Sequence, residues 1–322
     1  MRLCTKLPAI RVNDLIIFDL QKTDLMQYYK HFALFILITI LTGCAISRRV
    51  ADLHENAKTA YKSGNYKNAL GYYEEVIELK NSHGREIDGK TYYRAGVSAW
   101  ELHRTGKTIK YLDQARRRDL TNETSYYILA LAYRETDNLS LEINNLENYV
   151  DIYPDGEKIN EMRKRLFKTY IESNNLDPAM ELWPDLKEMS AADPELLEGY
   201  FTLNRELDNE KKLKDIAEQL YRLDDENTKA LKYLGEHYFW IAENRYQKEM
   251  AAYEKNHTRR QYRQLLDALD EINEQFRISR DYLERLWEIS PSPQTAVYLR
   301  NIYIRFGNEE KAEYFHKYSV TN

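Results

Sequence analysis

Residues 60–69 read AYKSGNYKNA, and this stretch decides the fold because it joins two amphipathic patterns across a glycine. Before Gly64, apolar or small residues recur at Leu53, Ala57 and Ala60, which is the spacing of one helical face. After Gly64, the same spacing holds for Tyr66, Ala69, Leu70, Tyr73, Val76, Ile77 and Leu79. We therefore predict a helix, a glycine turn and a second helix packed against the first.

Similar paired stripes begin near residues 89, 123, 160, 194 and 293. Residues 306–312, FGNEEKA, repeat the glycine turn and the small residue of the opening stretch. One hairpin cannot bury its apolar faces alone, whereas stacked hairpins bury them in a continuous core. The sequence therefore predicts an all-α solenoid of about seven helix hairpins. Its first five repeats would span 50–227 and its last repeat 293–322.

The stretch at 60–69 resembles the tetratricopeptide repeat (TPR), a helix-turn-helix unit of 34 residues. It has the glycine turn of that family at Gly64 and the small residue at Ala69, where the two helices cross closely. The central units depart from the pattern, because Thr108 and Glu142 replace that small residue. The resemblance implies a protein-binding fold in which the first helices line a concave groove.

Projected onto this chain, that groove contains side chains from the first three units. Val97 stands where the family's clamp for a peptide carboxylate needs an asparagine, so we do not predict that clamp. Ordinary amphipathic packing remains the alternative interpretation for the whole set. The candidate groove residues are His54, Lys58, Tyr61, Lys62, Tyr93, Trp100, Tyr127 and Arg134.

Residues 228–292 are roughly twice as long as one 34-residue repeat. Helical spacing continues through Tyr246, Met250 and Tyr253, breaks near Asn256, and resumes at Tyr262. We predict one elongated hairpin whose helices are each about 20 Å longer than usual at 1.5 Å rise per residue. Two interpretations stay open: a thickened solenoid, or a protruding coiled-coil arm that binds a partner or a second copy.

The amino-terminal segment has a different pattern. Residues 32–41 read FALFILITIL after Lys30 and before the sequence LTGC at 41–44. This apolar run is about half the 20 residues that a membrane-spanning helix needs. A short apolar run behind a positive charge and before small residues is typical of a signal peptide.

Leu41, Thr42, Gly43 and Cys44 resemble the lipobox of bacterial lipoproteins, including TPR lipoproteins of Bacteroidetes. The resemblance implies a signal peptide over 1–43, a covalent lipid on Cys44 and a lipidated tether over 44–49. The acidic residues before Met26, which are Asp14, Asp19 and Asp24, are unusual in the leader of an exported protein. We therefore hypothesise that translation begins at Met26, which precursor peptides beginning at Met1 would contradict.

Composition and motifs disfavour several other classes of protein function. The net charge is −5, with 47 basic and 52 acidic residues, which does not suggest nucleic-acid binding. We interpret the run Arg116–Arg118 as the solvated end of a helix. The sequence contains no HExxH or GxGxxG motif and only two cysteines, Cys4 and Cys44. Residues 84–91, GREIDGKT, fit the spacing GxxxxGK[ST], but they lie between two helical stripes, whereas a phosphate-binding loop of that kind follows a strand. We therefore predict neither an enzyme nor a metal site, and no cofactor other than the lipid on Cys44.

The expected function is a lipid-anchored scaffold for protein partners in the bacterial cell envelope, serving an outer-membrane or secretion complex. Ala45 follows the cysteine where some inner-membrane lipoproteins have aspartate, which favours the outer membrane, facing the periplasm. The alternative is an envelope module that binds a small molecule or glycan in a pocket near Phe239 and Trp240.

Overall fold

The computed structural model describes residues 46–319, which contain fourteen α-helices and no strand. Helices α1–α5 occupy 46–62, Tyr66–Ser82, Gly89–Trp100, Thr105–Arg116 and Glu123–Glu135. Helices α6–α10 occupy Leu139–Ile152, Ile159–Glu172, Leu176–Ser190, Pro194–Glu206 and Glu210–Leu223. Helices α11–α14 occupy Thr228–Lys255, Arg259–Ile289, Pro293–Arg305 and Glu309–Ser319. Fourteen helices are the number that seven hairpins require, and the all-α prediction is confirmed.

The helices form two compact units that divide between Asn138 and Leu139. In the amino-terminal unit, α2, α3, α4 and α5 pack in sequence order, and α3 also contacts α5. In the carboxy-terminal unit, each helix from α6 to α14 packs against the next, and α7 also contacts α9. These two contacts, each between the first helices of successive pairs, are the stacking that repeated hairpins produce.

One turn geometry recurs where the first helix of a pair ends. The turn residue has positive φ, between 52° and 73°, and the next N–H donates to a carbonyl five residues earlier at 2.7–3.0 Å. This is the Schellman end of a helix, in which a left-handed residue satisfies otherwise unpaired carbonyls. The turn residues are Gly64, His103, Asp137, Asn174, Asp208 and Gly307. The central repeats therefore keep the turn although they lack its glycine.

Thr108 and Glu142, which replace the small residue of the repeat pattern, fit into the core in different ways. Thr108 is fully buried in α4, and its hydroxyl donates to the Arg104 carbonyl one turn earlier at 3.2 Å. Glu142 is fully buried in α6 and forms an ion pair with Arg165 of α7. Close packing in the second hairpin depends on Gly96 instead, since a Cβ there would lie 2.7 Å from the Leu112 side chain.

Helices α11 and α12 are the elongated hairpin, with 28 and 31 residues against 11–17 in α2–α10, α13 and α14. Their inner halves lie in the core of the unit, where Phe239 meets Phe276 edge to face at 5.6 Å. The Ser279 hydroxyl donates to the Gly235 carbonyl at 2.7 Å, so the two backbones approach closely there. The elongated hairpin predicted from the sequence is confirmed.

The predicted lipoprotein features lie outside the described residues. They comprise the signal peptide 1–43, the start at Met26, residues 44 and 45 of the tether, and Leu41, Thr42, Gly43 and Cys44. Residues 46–49 of the predicted tether belong to α1. The repeat limits proposed from the sequence likewise stay predictions.

Candidate functional site

Four of the predicted groove residues lie around one cluster in the amino-terminal unit. We call Tyr61, Tyr93, Trp100 and Tyr127 the aromatic surface; all four are half-buried. They come from α1, α3 and α5, the first helices of three successive pairs. Their apolar parts pack against a buried cluster made of Val97, Leu112, Ile128, Leu129 and Tyr133.

Helical spacing explains why α3 contributes most to this surface. Tyr93, Val97 and Trp100 follow one another at intervals of four and three residues, so they share one face of α3. The close approach at Gly96 brings Leu112 of α4 under that face. Val97 is buried beneath the neighbouring rings, so it supports them and is not itself a contact for a partner.

The ring of Tyr61 contacts a cation and a second aromatic ring. The Arg94 guanidinium lies 5.8 Å from the centre of its ring, and the Tyr66 ring meets it edge-on at 5.9 Å. Burial, with smaller contributions from the neighbouring phenols of Tyr93 and Tyr66, raises the pKa of Tyr61 to about 12. The phenol is therefore neutral at physiological pH and presents an apolar ring with a hydrogen-bonding tip.

The other four predicted groove residues do not join this cluster. The His54 ring lies 6.1 Å from the Tyr73 ring in α2, and burial lowers the pKa of His54, so it is neutral at pH 7. Lys58 pairs with Glu55 of its own helix at 3.3 Å. Lys62 and Arg134 are exposed. Whether any of the eight residues contacts a partner stays a prediction.

The basic run after α4 is not uniformly solvated. Arg116 pairs with Asp113 at 2.6 Å, and Arg117 is exposed. The guanidinium of Arg118 lies 4.5 Å from the centre of the Tyr92 ring and donates to the Ile87 carbonyl at 2.8 Å. The interpretation of the whole run as a solvated helix end is therefore wrong for Arg118, which fastens α4 to the loop before α3.

A second exposed apolar surface lies in the carboxy-terminal unit, and the sequence reasoning identified only part of it. Trp240 and Ile241 of α11 are 49% and 40% exposed, and Val297 and Ile304 of α13 are 39% and 54% exposed. The sequence does indicate the part of this surface on α13, because Val297 and Ile304 lie seven residues apart and off the buried face of the helix. That buried face consists of Ala296, Leu299, Ile302 and Tyr303.

Trp240 borders two hollows of about 360 and 570 Å³, both open to solvent. The first hollow is also lined by Tyr233, Glu236 and His237, and the second is also lined by Ile304 and Arg305. Burial raises the pKa of Glu236, whereas the nearby Lys232 has the smaller, opposite effect. Phe239, the other residue predicted to form a pocket here, is buried in the core.

Residues 46–319 offer neither a metal-binding cluster nor a membrane-spanning helix. No group of three or more His, Cys, Asp or Glu side chains there is arranged to hold a metal ion. None of the helices in this range combines the length and apolar character needed to cross a bilayer.

The similarities of this chain to known proteins are structural. No protein-family profile matches the sequence, and no curated protein matches it significantly. The C-terminal part of a TPR repeat-containing protein from Cytophaga hutchinsonii has a TM-score of 0.48 and 14% identity, covering 82% of this chain and 93% of that one. A tetratricopeptide repeat protein from Parabacteroides merdae has a TM-score of 0.42 and 12% identity, covering 85% and 95%. YrrB, a TPR protein with an unusual peptide-binding site, has a TM-score of 0.45 and 16% identity, covering 59% and 97%.

Proposed function

We propose that this chain is a protein-interaction scaffold that binds a segment of a partner protein along its aromatic surface. The observation that carries the proposal is the grouping of Tyr61, Tyr93, Trp100 and Tyr127 from three successive first helices over one supporting cluster. Half-buried aromatic rings are already ordered and partly dehydrated, so these rings lose little side-chain entropy when a partner covers them. Tyrosine and tryptophan are the residues most enriched at energetic hot spots of interfaces.

Arg134 lies seven residues after Tyr127, on the same face of α5, and is exposed, so we expect it to supply a charged rim. An apolar centre with a polar rim is the usual composition of a protein interface. An extended peptide or an amphipathic helix of the partner would lie across the first helices. The rings would contact its apolar residues, and Arg134 would pair with an acidic residue.

The test is cross-linking in intact cells followed by mass spectrometry, with the wild type compared with Y93A/W100A/R134A. The triple variant is expected to lose the partners captured by the wild type while circular dichroism shows unchanged helicity. A matched control, K67A/E78A/R117A, alters three exposed side chains on or just after the second helices and is expected to retain them. Unchanged capture by the triple variant would refute the aromatic surface as the binding site.

We further propose that the scaffold belongs to the bacterial cell envelope and is held there by lipid on Cys44. The support is the ordered succession of Lys30, the apolar run 32–41 and LTGC at 41–44. Cys44→Ala is expected to abolish incorporation of an alkyne-labelled fatty acid and to move the protein out of the membrane fraction, whereas Cys4→Ser leaves both unchanged. Labelling that persists in Cys44→Ala would contradict the anchor.

The most specific form of this proposal places the protein on the periplasmic side of the outer membrane, serving assembly of an outer-membrane or secretion complex. Ala45 after the cysteine supports outer-membrane sorting. Separation of inner and outer membranes on a density gradient tests the location. The identity of the cross-linked partners tests the assembly role. If all of the partners were soluble enzymes, this role would be contradicted.

The second candidate function is binding of a small molecule or glycan beside Trp240, and the two hollows that this ring borders favour it. Both are open, whereas ligand pockets usually enclose most of their ligand, so we rank this candidate below protein binding. Quenching of tryptophan fluorescence by a glycan panel, lost in Trp240→Ala, would support it.

A further inference from the structure

The outer part of the elongated hairpin is a two-helix arm, comprising residues 247–270. No ring contact, ion pair or hydrogen bond joins these residues to any other described helix. At the base of the arm, Arg305 of α13 lies 4.3 Å from the centre of the Tyr246 ring, and Arg245 of α11 pairs with Glu271 of α12. Beyond them, Leu265 and Ala268 are the buried side chains of the arm.

The end of this arm has a charge opposite to that of the chain. Residues 248–263, which we call the arm tip, contain acidic Glu249 and Glu254 and basic Lys248, Lys255, Arg259, Arg260 and Arg263. The complete chain has a net charge of −5. None of these seven side chains forms an ion pair within the described residues, although pairs are frequent elsewhere in both units. The tip is therefore a set of unneutralised cations at the end of a projection.

The position of the arginines is unfavourable for the fold itself. Arg259 and Arg260 occupy the first turn of α12, which contains no acidic residue. Cations in a first turn lie at the positive end of the helix dipole and destabilise the helix, whereas acidic residues there stabilise it. Because no local partner offsets this cost, the arginines point to a negatively charged partner outside the chain.

The apolar side chains at the tip indicate the nature of that partner. Tyr262 and Leu266 lie one turn apart on α12 and are 51% and 45% exposed. Tyr253 packs against both Tyr262, at 5.9 Å, and His257, at 5.0 Å. Exposed tyrosine and leucine beside arginines at one end of the arm match the interface of a bilayer, where rings lie at headgroup level and cations meet phosphates.

We propose that the arm tip binds the surface of a membrane that contains anionic phospholipid headgroups. The contact is made by Arg259, Arg260 and Arg263 with the phosphates, while Tyr262 and Leu266 enter the headgroup layer. An acidic protein segment is also negatively charged, but the exposed tyrosine and leucine beside the arginines favour the bilayer interface. This contact is independent of the lipid proposed on Cys44, so either can fail without the other.

The experiment uses the full chain with C4S and C44S, which removes acylation, and with N256C carrying an environment-sensitive fluorophore at the tip. Vesicles of phosphatidylcholine are compared with vesicles that also contain about 30 mol % phosphatidylglycerol. The apolar amino-terminal run is the same in all variants, and the fluorophore reports only the surroundings of the tip. We expect a blue shift on the anionic vesicles alone, which weakens as salt shortens the range of the charges.

The decisive variant is R259E/R260E, and its matched control is K211E/K212E, which reverses two exposed lysines in the first turn of α10. The tip variant is expected to bind anionic vesicles at least about 30-fold more weakly, since each basic residue lost near such a surface costs roughly fivefold and the new carboxylates add repulsion. The control is expected to stay within about twofold of the unreversed protein. Reversal places acidic residues at a helix start, which stabilises the helix, so lost binding cannot be attributed to unfolding.

Three outcomes would overturn the proposal. One is an equal response on neutral and anionic vesicles, and another is equal loss in the tip variant and the control. The third is a response to poly-glutamate with none to the vesicles, which would assign the tip to an acidic protein segment.

Discussion

Arg165 of α7 and Glu142 of α6 form a buried ion pair at a position where the repeat pattern has a small residue. The guanidinium Nε lies 2.5 Å from Oε1 of the carboxylate and Nη2 lies 3.2 Å from Oε2, with the Glu142 side chain 1% exposed. Thr169 donates a further hydrogen bond to Oε1 at 3.3 Å, and Arg165 also pairs with Glu172 at 3.2 Å. The pair joins the second helix of one repeat to the first helix of the next.

We expect Arg165→Ala to lower the free energy of unfolding by about 3–5 kcal/mol, because it leaves the Glu142 carboxylate buried without its counter-charge. Removing both charges in E142A/R165M should recover most of this loss, since an apolar pair needs no compensation. Urea unfolding followed by circular dichroism measures both values. Arg277→Ala, which breaks the exposed pair with Glu274, is the control and should cost no more than about 1 kcal/mol. A loss in Arg165→Ala as small as in the control would show that the pair is not effectively buried.

The sequence predicted the hairpins well because their signals are local. The spacing of small and apolar residues around Gly64 and Gly307 identifies a turn between two amphipathic helices, and the same spacing located the elongated hairpin. The central turns at Asp137, Asn174 and Asp208 were harder to recognise, since asparagine and aspartate adopt the left-handed conformation less readily than glycine. An asparagine follows the turn residue in Gly64-Asn65 and in Asp208-Asn209, and this pattern could have helped to locate the central turns.

Helical phase explains in part why the structure brings together four of the eight predicted groove residues and not the other four. The phase of a helix identifies which side chains share a face, and this grouped Tyr93 with Trp100 correctly. It does not identify which of them a neighbouring helix draws inward, so His54 was placed in the groove although its ring packs against Tyr73 of α2. Pairing between repeats, as in Glu142 with Arg165, depends on distances across 23 residues that no local pattern encodes.

The cap of α9 should make stability depend on pH. Oδ1 of Asp193 accepts from the Leu196 N–H at 3.0 Å, and Oδ2 lies 2.5 Å from Nζ of Lys164. Burial alone would raise the pKa of Asp193, but the hydrogen bonds from Lys164 and Leu196 outweigh it and lower the pKa below 3.8. A folded-state pKa below the unfolded value stabilises the fold above about pH 4, and this contribution is lost as the pH falls through the folded pKa.

Asp193→Asn retains a good helix cap but removes the charge, so it isolates this effect. We expect it to be about 1 kcal/mol less stable than the wild type near neutral pH, the usual size of a partly exposed pair. The difference should shrink as the pH is lowered towards about 3. Thermal unfolding over this range measures it, with Asn122→Ala as the control because the α5 cap that it removes is uncharged. A difference that is constant with pH would exclude the carboxylate as its source.

Two glycines in helices should respond oppositely to alanine. In Gly96→Ala the new Cβ would lie 2.7 Å from Leu112 Cδ2 and 3.1 Å from the Leu112 backbone nitrogen, and the backbone cannot move aside cheaply. We expect a loss of about 1–3 kcal/mol, the usual cost of overpacking. Gly71→Ala meets nothing within 4 Å and is expected to gain up to about 1 kcal/mol from helix propensity. Urea midpoints of the two variants decide this, and a stabilised Gly96→Ala would mean that α3 and α4 are less tightly packed than the structure indicates.

The two halves of the elongated hairpin should differ in local stability. Residues 272–286 of α12 bury Ile272, Phe276, Ser279, Leu283 and Leu286, whereas residues 247–270 bury only Leu265 and Ala268. A two-helix segment with so few buried contacts opens without unfolding the rest of the unit. Amides of the outer segment should therefore exchange with deuterium at least about tenfold faster than those of the inner half. Hydrogen exchange followed by mass spectrometry measures this, with α3 as a reference helix of ordinary length. Uniform protection along α11 and α12 would instead mean that the outer half is covered, by a second copy or by a partner, in the protein as purified.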